Sequence, residues 1–443
     1  MNSENTANIP VTANPTTTNS ISCVVLDIGT YLIKIGYGGE DLPRSILPCK
    51  IGIPSQKSEN IDLDRMNNIL FPLRPWEKRD NIEILSPYEY DPENRNIKMN
   101  EDYLIKMIQE AFFPCKPISN SNKSSYSACS VFQYGTLDDK ITNNPLILPV
   151  PSNSENSFLT KMTEIAFEQL ESSMFFTCKR PVLSCYACGK TSGICVDIGA
   201  SNSNVCCVQD GYCFPSTIQE YPIAGDFLDS EILKKLHKSN YIIPEYGVIR
   251  DKEDKPYLIP LLNIDESYLD WSISYAIREI KHTSCCFNLS DSNTSTFTLP
   301  DGNIIDISSI RTSIPNIIFK PNNSNYGYPG IVQMIANSIS DLVQNTKDTS
   351  NVTSSLILTG GTSLLNGFDS KLFQALADHK YTAFIQEDGL LPKIIASPRS
   401  IERQSAAWIG ASILSSLGTF PQLAISRKDY QEFGSSITLK RCP

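Results

Sequence analysis

Residues 23–37 read CVVLDIGTYLIKIGY, and residues 194–208 read ICVDIGASNSNVCCV. Each stretch runs from an apolar strand through Asp-Ile-Gly into a second strand. One such turn would be weak evidence, because Asp and Gly favour turns of many kinds. Two copies about 170 residues apart, in matching context, indicate an internal duplication, with two related halves facing one cleft.

Length and composition are those of a globular protein. The 443 residues can bury at least two cores, and the alternation of strand-like and helical patterns predicts α/β layers. No run approaches 18 apolar residues, so we expect no membrane-spanning helix. Residues 1–20 are polar and rich in Asn and Thr, and we expect a disordered tail rather than a secretory signal.

The chain has fourteen cysteines, which raises the question of disulfides or a metal site. Without a secretory signal we do not expect disulfides. Cys185 and Cys188 have the spacing of a zinc-ligand pair, but no second pair follows, and buried free thiols are the expected state. The only histidines, His237, His282 and His379, make a Ser-His-Asp hydrolase improbable.

The net charge is acidic, 38 − 48 = −10. An acidic chain is a poor stand-alone binder of nucleic-acid phosphates, so we expect no direct sequence-specific contact with nucleic acid. A basic partner, such as a histone or a basic helix, fits this charge better.

Three loops have the chemistry of a phosphate or nucleotide site. Gly in a hairpin turn lets backbone N–H groups approach a phosphate, and the preceding Asp27 or Asp197 can hold a metal ion through water. Lys34 on the first hairpin supplies a point charge, although it could equally be a solvated strand lysine. A third loop, LILTGGTS at 356–363, precedes the helical run 370–377, and its backbone can approach a flat ligand.

The order of these loops, followed by ERQSAAWIGASILSSLGTF at 402–420, resembles actin and the actin-related proteins. Further matching pieces are YGGEDLP at 37–43, KMTEIAF at 161–167 and PVLSCYA at 181–187. The resemblance implies an actin-like, ribonuclease H-like duplicated α/β fold with two halves around a nucleotide cleft.

It also implies a domain organisation. The halves would be 21–187 and 188–405, with 406–443 returning to the first half. Residues 116–144, 245–266 and 320–329 read as surface insertions, although 245–266 could also be an ordered part of a larger domain.

The resemblance also assigns a nucleotide site, for ATP or ADP with Mg²⁺. The metal would be held through water near Asp27 and Asp197, with no direct protein ligand. The first loop would supply Asp27, Gly29, Thr30, Tyr31, Leu32 and Lys34, the second Asp197 and Gly199, the adenosine side Arg278 and Lys281, and the adenosine loop Gly360, Gly361 and Thr362.

Four positions depart from the family pattern. Arg180 stands where actin has the glutamine that orients the hydrolytic water, Ala200 and His282 replace acids, and Gln404 replaces a lysine. Attack by water needs a group that accepts a proton, and arginine has only donors. We therefore predict nucleotide binding with weak or absent hydrolysis, and no enzyme. Arg180 acting as an arginine finger is disfavoured, because nothing would then position the water.

A second site is predicted at the end of the chain. Residues 403–417 are predicted to form one helix, with Ile409, Ile413, Leu414 and Leu417 on one apolar face. Core packing would explain part of this face. In the actin family, however, this region lines a groove that accepts partner helices. The predicted groove residues are Tyr186, Ala187, Ile409, Ile413, Leu417 and Thr419.

AGDF at 224–227 and KRCP at 440–443 resemble the actin-related protein 4 class. The implied function is a non-catalytic nuclear subunit of chromatin-remodelling and histone acetyltransferase complexes. Its implied partners are actin, a helix of a remodelling ATPase and, as candidates, histones. Nuclear localisation rests on this resemblance alone, because no basic localisation cluster is evident.

Two other readings of the sequence remain. A conventional filament-forming actin with ATPase activity is disfavoured by Arg180, Ala200 and the segment 52–79, which matches actin poorly. A sugar-kinase or chaperone-like ATPase would share the duplicated hairpins. It would need a catalytic acid or glutamine at the cleft, and it does not explain the stretch 408–417.

Overall fold

The computed structural model describes residues 22–55, 68–112, 131–135, 137, 142–236, 242–288, 295–321, 327–378 and 391–442. The predicted tail at 1–20 lies outside these residues. Parts of the insertions at 116–144 and 320–329, and part of the segment 52–79, also lie outside them.

The strands of the described residues form two six-stranded sheets and four two-stranded sheets. The strands are β1 (Val24–Ile28), β2 (Leu32–Tyr37), β3 (Ser45–Pro48), β4 (Ile51–Pro54), β5 (Ile82–Leu85), β6 (Tyr88–Asp91), β7 (Asn96–Met99), β8 (Leu146–Val150), β9 (Met174–Lys179), β10 (Gly193–Ile198), β11 (Ser203–Gln209), β12 (Tyr212–Cys213), β13 (Gln219–Tyr221), β14 (Val248–Arg250), β15 (Pro256–Leu258), β16 (Thr296–Thr298), β17 (Ile304–Asp306), β18 (Ser355–Thr359), β19 (Lys393–Ile395) and β20 (Ile425–Ser426). The first sheet has the order β20-β9-β8-β1-β2-β3, and the second has the order β12-β11-β10-β18-β19, with β13 beside β11.

The duplication predicted from the two Asp-Ile-Gly stretches is present in the sheets. β1 pairs antiparallel with β2 and parallel with β8, and β10 pairs in the same way with β11 and β18. Asp27 faces Lys34 in the first hairpin, and Asp197 faces Asn204 in the second. β1 and β2 are buried along their whole length, as expected of strands covered on both faces.

Helices cover these sheets. They are α1 (Glu101–Ala111), α2 (Asn156–Glu164), α3 (Arg180–Ala187), α4 (Gly225–Leu236), α5 (Glu266–Ser284), α6 (Ile331–Asn345), α7 (Ser350–Thr353), α8 (Phe368–Ala377), α9 (Ser400–Gln404), α10 (Ala406–Ser416), α11 (Phe420–Leu423), α12 (Arg427–Phe433) and α13 (Thr438–Arg441). Among the helices of the described ranges, none has the length and apolar character that a membrane span requires.

Each sheet has its own hydrophobic core. One core gathers the apolar residues of β1, β2, β8 and β9 with α1 and α2, and the other gathers those of β10, β11 and β18 with α4, α5 and α6. The result is a two-lobed α/β fold. The division at 187/188 and 405/406 stays a prediction.

The end of the chain packs against the first sheet. The indole of Trp408 is fully buried and donates a hydrogen bond to the Val25 carbonyl, 3.2 Å away. α10 crosses α3 so closely that a Cβ on Gly410 would lie 1.9 Å from the Leu183 carbonyl oxygen. Only glycine permits this approach.

The prediction of one helix over 403–417 is wrong, because two helices meet at Ser405. The Ser405 amide donates to the carbonyls of Ile401 and Glu402 and ends α9, while the Ser405 carbonyl accepts from Ile409 in the next helix. The Arg403 carbonyl accepts the Gly360 amide at 3.2 Å. This contact ties α9 to the loop after β18.

The segment 245–266, predicted as an insertion, is ordered. It contains the hairpin β14–β15, and its last residue begins α5. Ile249 and Tyr257 on the hairpin are exposed. The segment is therefore both a surface feature and an ordered part of the second lobe.

Candidate functional site

One cleft between the lobes gathers every residue predicted to bind nucleotide. It lies where the two hairpins and the loop after β18 meet. The predicted residues that line it are Asp27, Gly29, Thr30, Tyr31, Leu32, Lys34, Asp197, Gly199, Arg278, Lys281, Gly360, Gly361 and Thr362. That they bind nucleotide stays a prediction.

Asp27 is the centre of the first loop. It is buried at the end of β1, and its Oδ2 accepts from Lys34 Nζ at 2.8 Å. Its Oδ1 accepts from Arg180 Nε at 3.2 Å, and the Nη2 of the same guanidinium donates to the Ile28 carbonyl. Burial alone would raise the pKa of Asp27, but Lys34 and Arg180 together hold it below its ordinary value.

The junction of a strand and a helix places Arg180 in the cleft. β9 ends at Lys179, and Arg180 is the first residue of α3, with Pro181 in the first turn. The guanidinium also lies near Tyr88, which is buried. Burial raises the pKa of Tyr88 to about 12, so the phenol stays neutral at physiological pH.

The second loop has the same backbone turn with fewer charges. The Gly199 amide donates to the Asn202 carbonyl at 3.1 Å, as Gly29 donates to Leu32 at 2.8 Å in the first loop. Asp197 is half-buried and opposite a neutral asparagine. Burial raises the pKa of Asp197 above its ordinary value, although Arg180 and Lys34 are near enough to oppose the shift.

The two loops touch across the cleft. The Thr30 hydroxyl donates to the Ser201 hydroxyl at 3.0 Å. Thr30 was predicted in the site, whereas Ser201 was not. Its place in the repeated turn was the available signal.

Two acids that were not predicted pair with the cations predicted for the adenosine side. Arg278 pairs with Asp226 at 2.6 Å and with Asp229 at 3.1 Å, and Lys281 pairs with Asp229 at 2.7 Å. The Arg278 guanidinium also lies 3.6 Å from the centroid of the Tyr31 ring. Asp226 and Asp229 are one helical turn apart on α4, which was the signal that could have revealed them.

The loop after β18 is fitted against the second hairpin. Gly360 has φ +88°, and a Cβ there would lie 2.2 Å from the Ile198 carbonyl oxygen and 2.5 Å from Asp197 Oδ1. Thr362 donates its hydroxyl to the Gly199 carbonyl at 2.7 Å. The backbone of this loop therefore forms one wall of the cleft.

The four positions that depart from the family pattern all line the same cleft: Arg180, Ala200, His282 and Gln404. Their clustering in one place makes the departures a property of the site rather than of the surface.

The actin family model matches residues 18–443. The chain belongs to the actin family. Similar curated proteins include actin-related protein 4 of Oryza sativa subsp. indica, 24% identical, and actin-related protein 4 of Arabidopsis thaliana, 26% identical. Each alignment covers 96% of this chain and 99% of the relative. Putative actin-29 of Dictyostelium discoideum is 25% identical, over 96% of this chain and 98% of its own length.

Actins bind nucleotide with a divalent cation, and the groups around Asp27 decide whether this carboxylate could help to hold one. Mg²⁺ is held through carboxylate oxygens and their waters. Here both oxygens of Asp27 accept charge-assisted hydrogen bonds, one from Lys34 and one from Arg180. The two fixed cations would repel a third. With a cationic donor on each of its oxygens, Asp27 does not fit a metal.

The predicted partner groove of this actin-family chain is part core and part surface. Ile413 is 43% exposed and Leu417 48% exposed, whereas Leu414, predicted on the same face, is buried. The other groove residues are Tyr186, Ala187 and Ile409, which are half-buried, and Thr419, which is exposed. Partner binding at this surface stays a prediction.

The twelve described cysteines are free thiols. Burial raises the pKa of both Cys185 and Cys188. Neither is activated as a nucleophile, because a raised pKa keeps a thiol protonated.

Proposed function

We propose that this actin-family chain is a non-catalytic nuclear subunit of chromatin-remodelling and histone acetyltransferase complexes. It binds ATP or ADP as a structural ligand, with weak or absent hydrolysis. It pairs with actin on a long helix of the remodelling ATPase. Similarity to relatives named actin-related protein 4 supports the class, and the details of the cleft support the loss of catalysis.

One observation carries the loss of catalysis. Arg180 occupies the position of the glutamine that orients the attacking water in actin, and it is held there by Asp27 and the Ile28 carbonyl. Its nitrogens are donors, and its proton cannot be removed at neutral pH. A water in this cleft therefore lacks the acceptor that hydrolysis requires at this position.

The partner role is supported by the exposed part of the groove. Ile413 and Leu417 expose large apolar side chains near the end of α10, and Leu423 on α11 is also exposed. An amphipathic partner helix would bury such side chains. The acidic net charge favours basic partners, so histones are candidate contacts. Neither direct sequence-specific nucleic-acid binding nor membrane binding is part of the proposal.

Single-turnover hydrolysis tests the catalytic half of the proposal. The purified chain should bind ATP and convert it to ADP far more slowly than a true actin measured beside it. The variant Arg180→Gln restores the family residue and tests whether arginine is the cause. Hydrolysis by the wild type at the rate of actin would refute a non-catalytic role.

Co-purification with actin and a remodeller helix tests the partner half. Leu417→Asp should abolish the complex, because it places a carboxylate on the apolar contact. Leu262→Asp is the matched control, since Leu262 is 69% exposed and lies in the second lobe. Ile413→Asp should act like Leu417→Asp, and a change at Thr419 tests the groove with less risk to folding. Equal binding by both leucine variants would contradict the groove.

A conventional filament-forming ATPase is the second candidate, favoured by the similarity to putative actin-29. Filaments need two complementary faces that repeat head to tail. Sedimentation of the isolated chain under actin-polymerising conditions separates the two functions. A pellet of filaments would favour the second candidate, and a monomer that joins actin only in the presence of the helix favours the first.

A further inference from the structure

Arg180 stands where actin has a glutamine, and it also brings a positive charge to the cleft. Its guanidinium lies against the carboxylate through which a metal would be held, with Nε 3.2 Å from Asp27 Oδ1. Only 20% of its side chain is exposed. Its Nη2 donates to the Ile28 carbonyl, so the head group is fixed at two points.

The local charges balance without a metal. Asp27 and Asp197 bring two negative charges to the cleft floor, and Lys34 and Arg180 bring two positive charges. Buried carboxylates are stable when paired, and each oxygen of Asp27 already has a cationic donor. The phosphates of a bound nucleotide would add further negative charge, and Lys34 and Arg180 are already in place to offset part of it.

Arginine is also suited to the ligand that a metal would otherwise help to hold. Its planar fork of N–H donors matches a phosphate in bidentate geometry. The guanidinium is attached to the chain at the start of α3 and so is present before any nucleotide arrives. Part of the positive charge that a metal would bring is built into the protein.

We propose that the Arg180 guanidinium takes the place of a divalent cation beside Asp27, so that the cleft binds nucleotide without a metal. The inference rests on the nucleotide binding proposed above. It assigns Arg180 as a ligand-binding residue for the phosphates.

Calorimetric titration of ATP and of ADP into the nucleotide-free full chain tests this, with excess EDTA or with MgCl₂. The wild type should bind with dissociation constants that agree within about twofold between the two conditions. Arg180→Gln should bind at least ~10-fold more weakly in EDTA than in MgCl₂, because a charge-assisted contact is worth about a factor of ten or more. Lys190→Gln, which removes an exposed positive charge just beyond α3, should behave as the wild type.

The wild-type result decides the proposal even if Arg180→Gln fails to fold. Arg180→Lys is then the second variant, which keeps the charge and should keep binding in EDTA. A wild-type dissociation constant more than about tenfold higher in EDTA than in MgCl₂ would overturn the inference but leave the proposed nucleotide binding intact. No binding of either nucleotide in either condition would overturn both.

Discussion

The two hairpins share a backbone and differ in charge. In the first, Asp27 is buried between two cations, and in the second, Asp197 is half-buried opposite the neutral Asn204. The pKa of Asp27 is lowered, and that of Asp197 is raised. The duplication places one acid at the same position in each lobe, but the residues around each acid determine the direction of its pKa shift. Arg180 comes from outside both hairpins and gives the first acid its second partner.

The largest expected effect comes from neutralising the two acids separately. Asp27→Asn leaves Lys34 and Arg180 buried without their counter-charge, which should lower the free energy of unfolding by ~3–5 kcal/mol. Asp197→Asn removes a carboxylate that burial disfavours, and the change should stay within about 1 kcal/mol. Urea unfolding of both variants at neutral pH measures the difference. Equal losses would show that the two loops are electrostatically alike.

Much of this site could be predicted from local sequence. The Asp-Ile-Gly turns and the Gly-Gly loop are set by residues adjacent in the chain, and turn chemistry is readable at that range. The partners of Arg180 and Arg278 were not readable, because Asp27 and Asp229 are distant in sequence from the cations that they hold.

The break between α9 and α10 at Ser405 was also not predicted from local sequence. The apolar periodicity of 403–417 continues through Ser405, and periodicity alone predicts one helix. At the break, the Arg403 carbonyl accepts from the Gly360 amide, and the Arg403 side chain pairs with Asp369 at 3.0 Å. Both are long-range contacts.

The close packing of the loop after β18 against the second hairpin depends on one glycine. Gly360→Ala should lower the free energy of unfolding by ~2–4 kcal/mol, because its Cβ would meet the Ile198 carbonyl at 2.2 Å in a positive-φ backbone. Gly361→Ala is the matched control, since its Cβ would have no neighbour nearer than 3.6 Å and should change stability by less than ~0.5 kcal/mol. Urea unfolding again provides the measurement, and equal effects would contradict the close fit.

The pH dependence of stability should have opposite signs for the two acids. Because the folded-state pKa of Asp27 is lowered, its contribution is present above the ordinary pKa of about 3.9 and is lost as pH falls through the folded value. The folded-state pKa of Asp197 is raised. Its contribution to the free energy of unfolding is therefore present below pH of about 3.9 and is lost as pH rises through the folded-state pKa.

Unfolding free energies of the wild type and the two Asn variants between acid and neutral pH measure both slopes. The advantage of the wild type over Asp27→Asn should shrink on acidification. Relative to Asp197→Asn, the wild type should gain stability on acidification. Each unit of pKa shift is worth about 1.4 kcal/mol. Slopes of the same sign would contradict the assigned directions.

The smallest expected effect concerns the contact that joins the two hairpins, the hydrogen bond from Thr30 to Ser201. A double-mutant cycle with Thr30→Val and Ser201→Ala should give a coupling of ~0.5–1 kcal/mol, because the hydroxyls are only partly buried and water replaces the lost partner.

Thr163 and Thr438 provide the control cycle, because their hydroxyls are 2.7 Å apart and buried on elements packed in the first lobe. Their coupling should be unaffected by ATP. The Thr30–Ser201 coupling should change when ATP is added, because phosphates would lie between the loops and compete for both hydroxyls. A coupling that ATP leaves unchanged would mean that the phosphates do not reach this point of contact between the lobes.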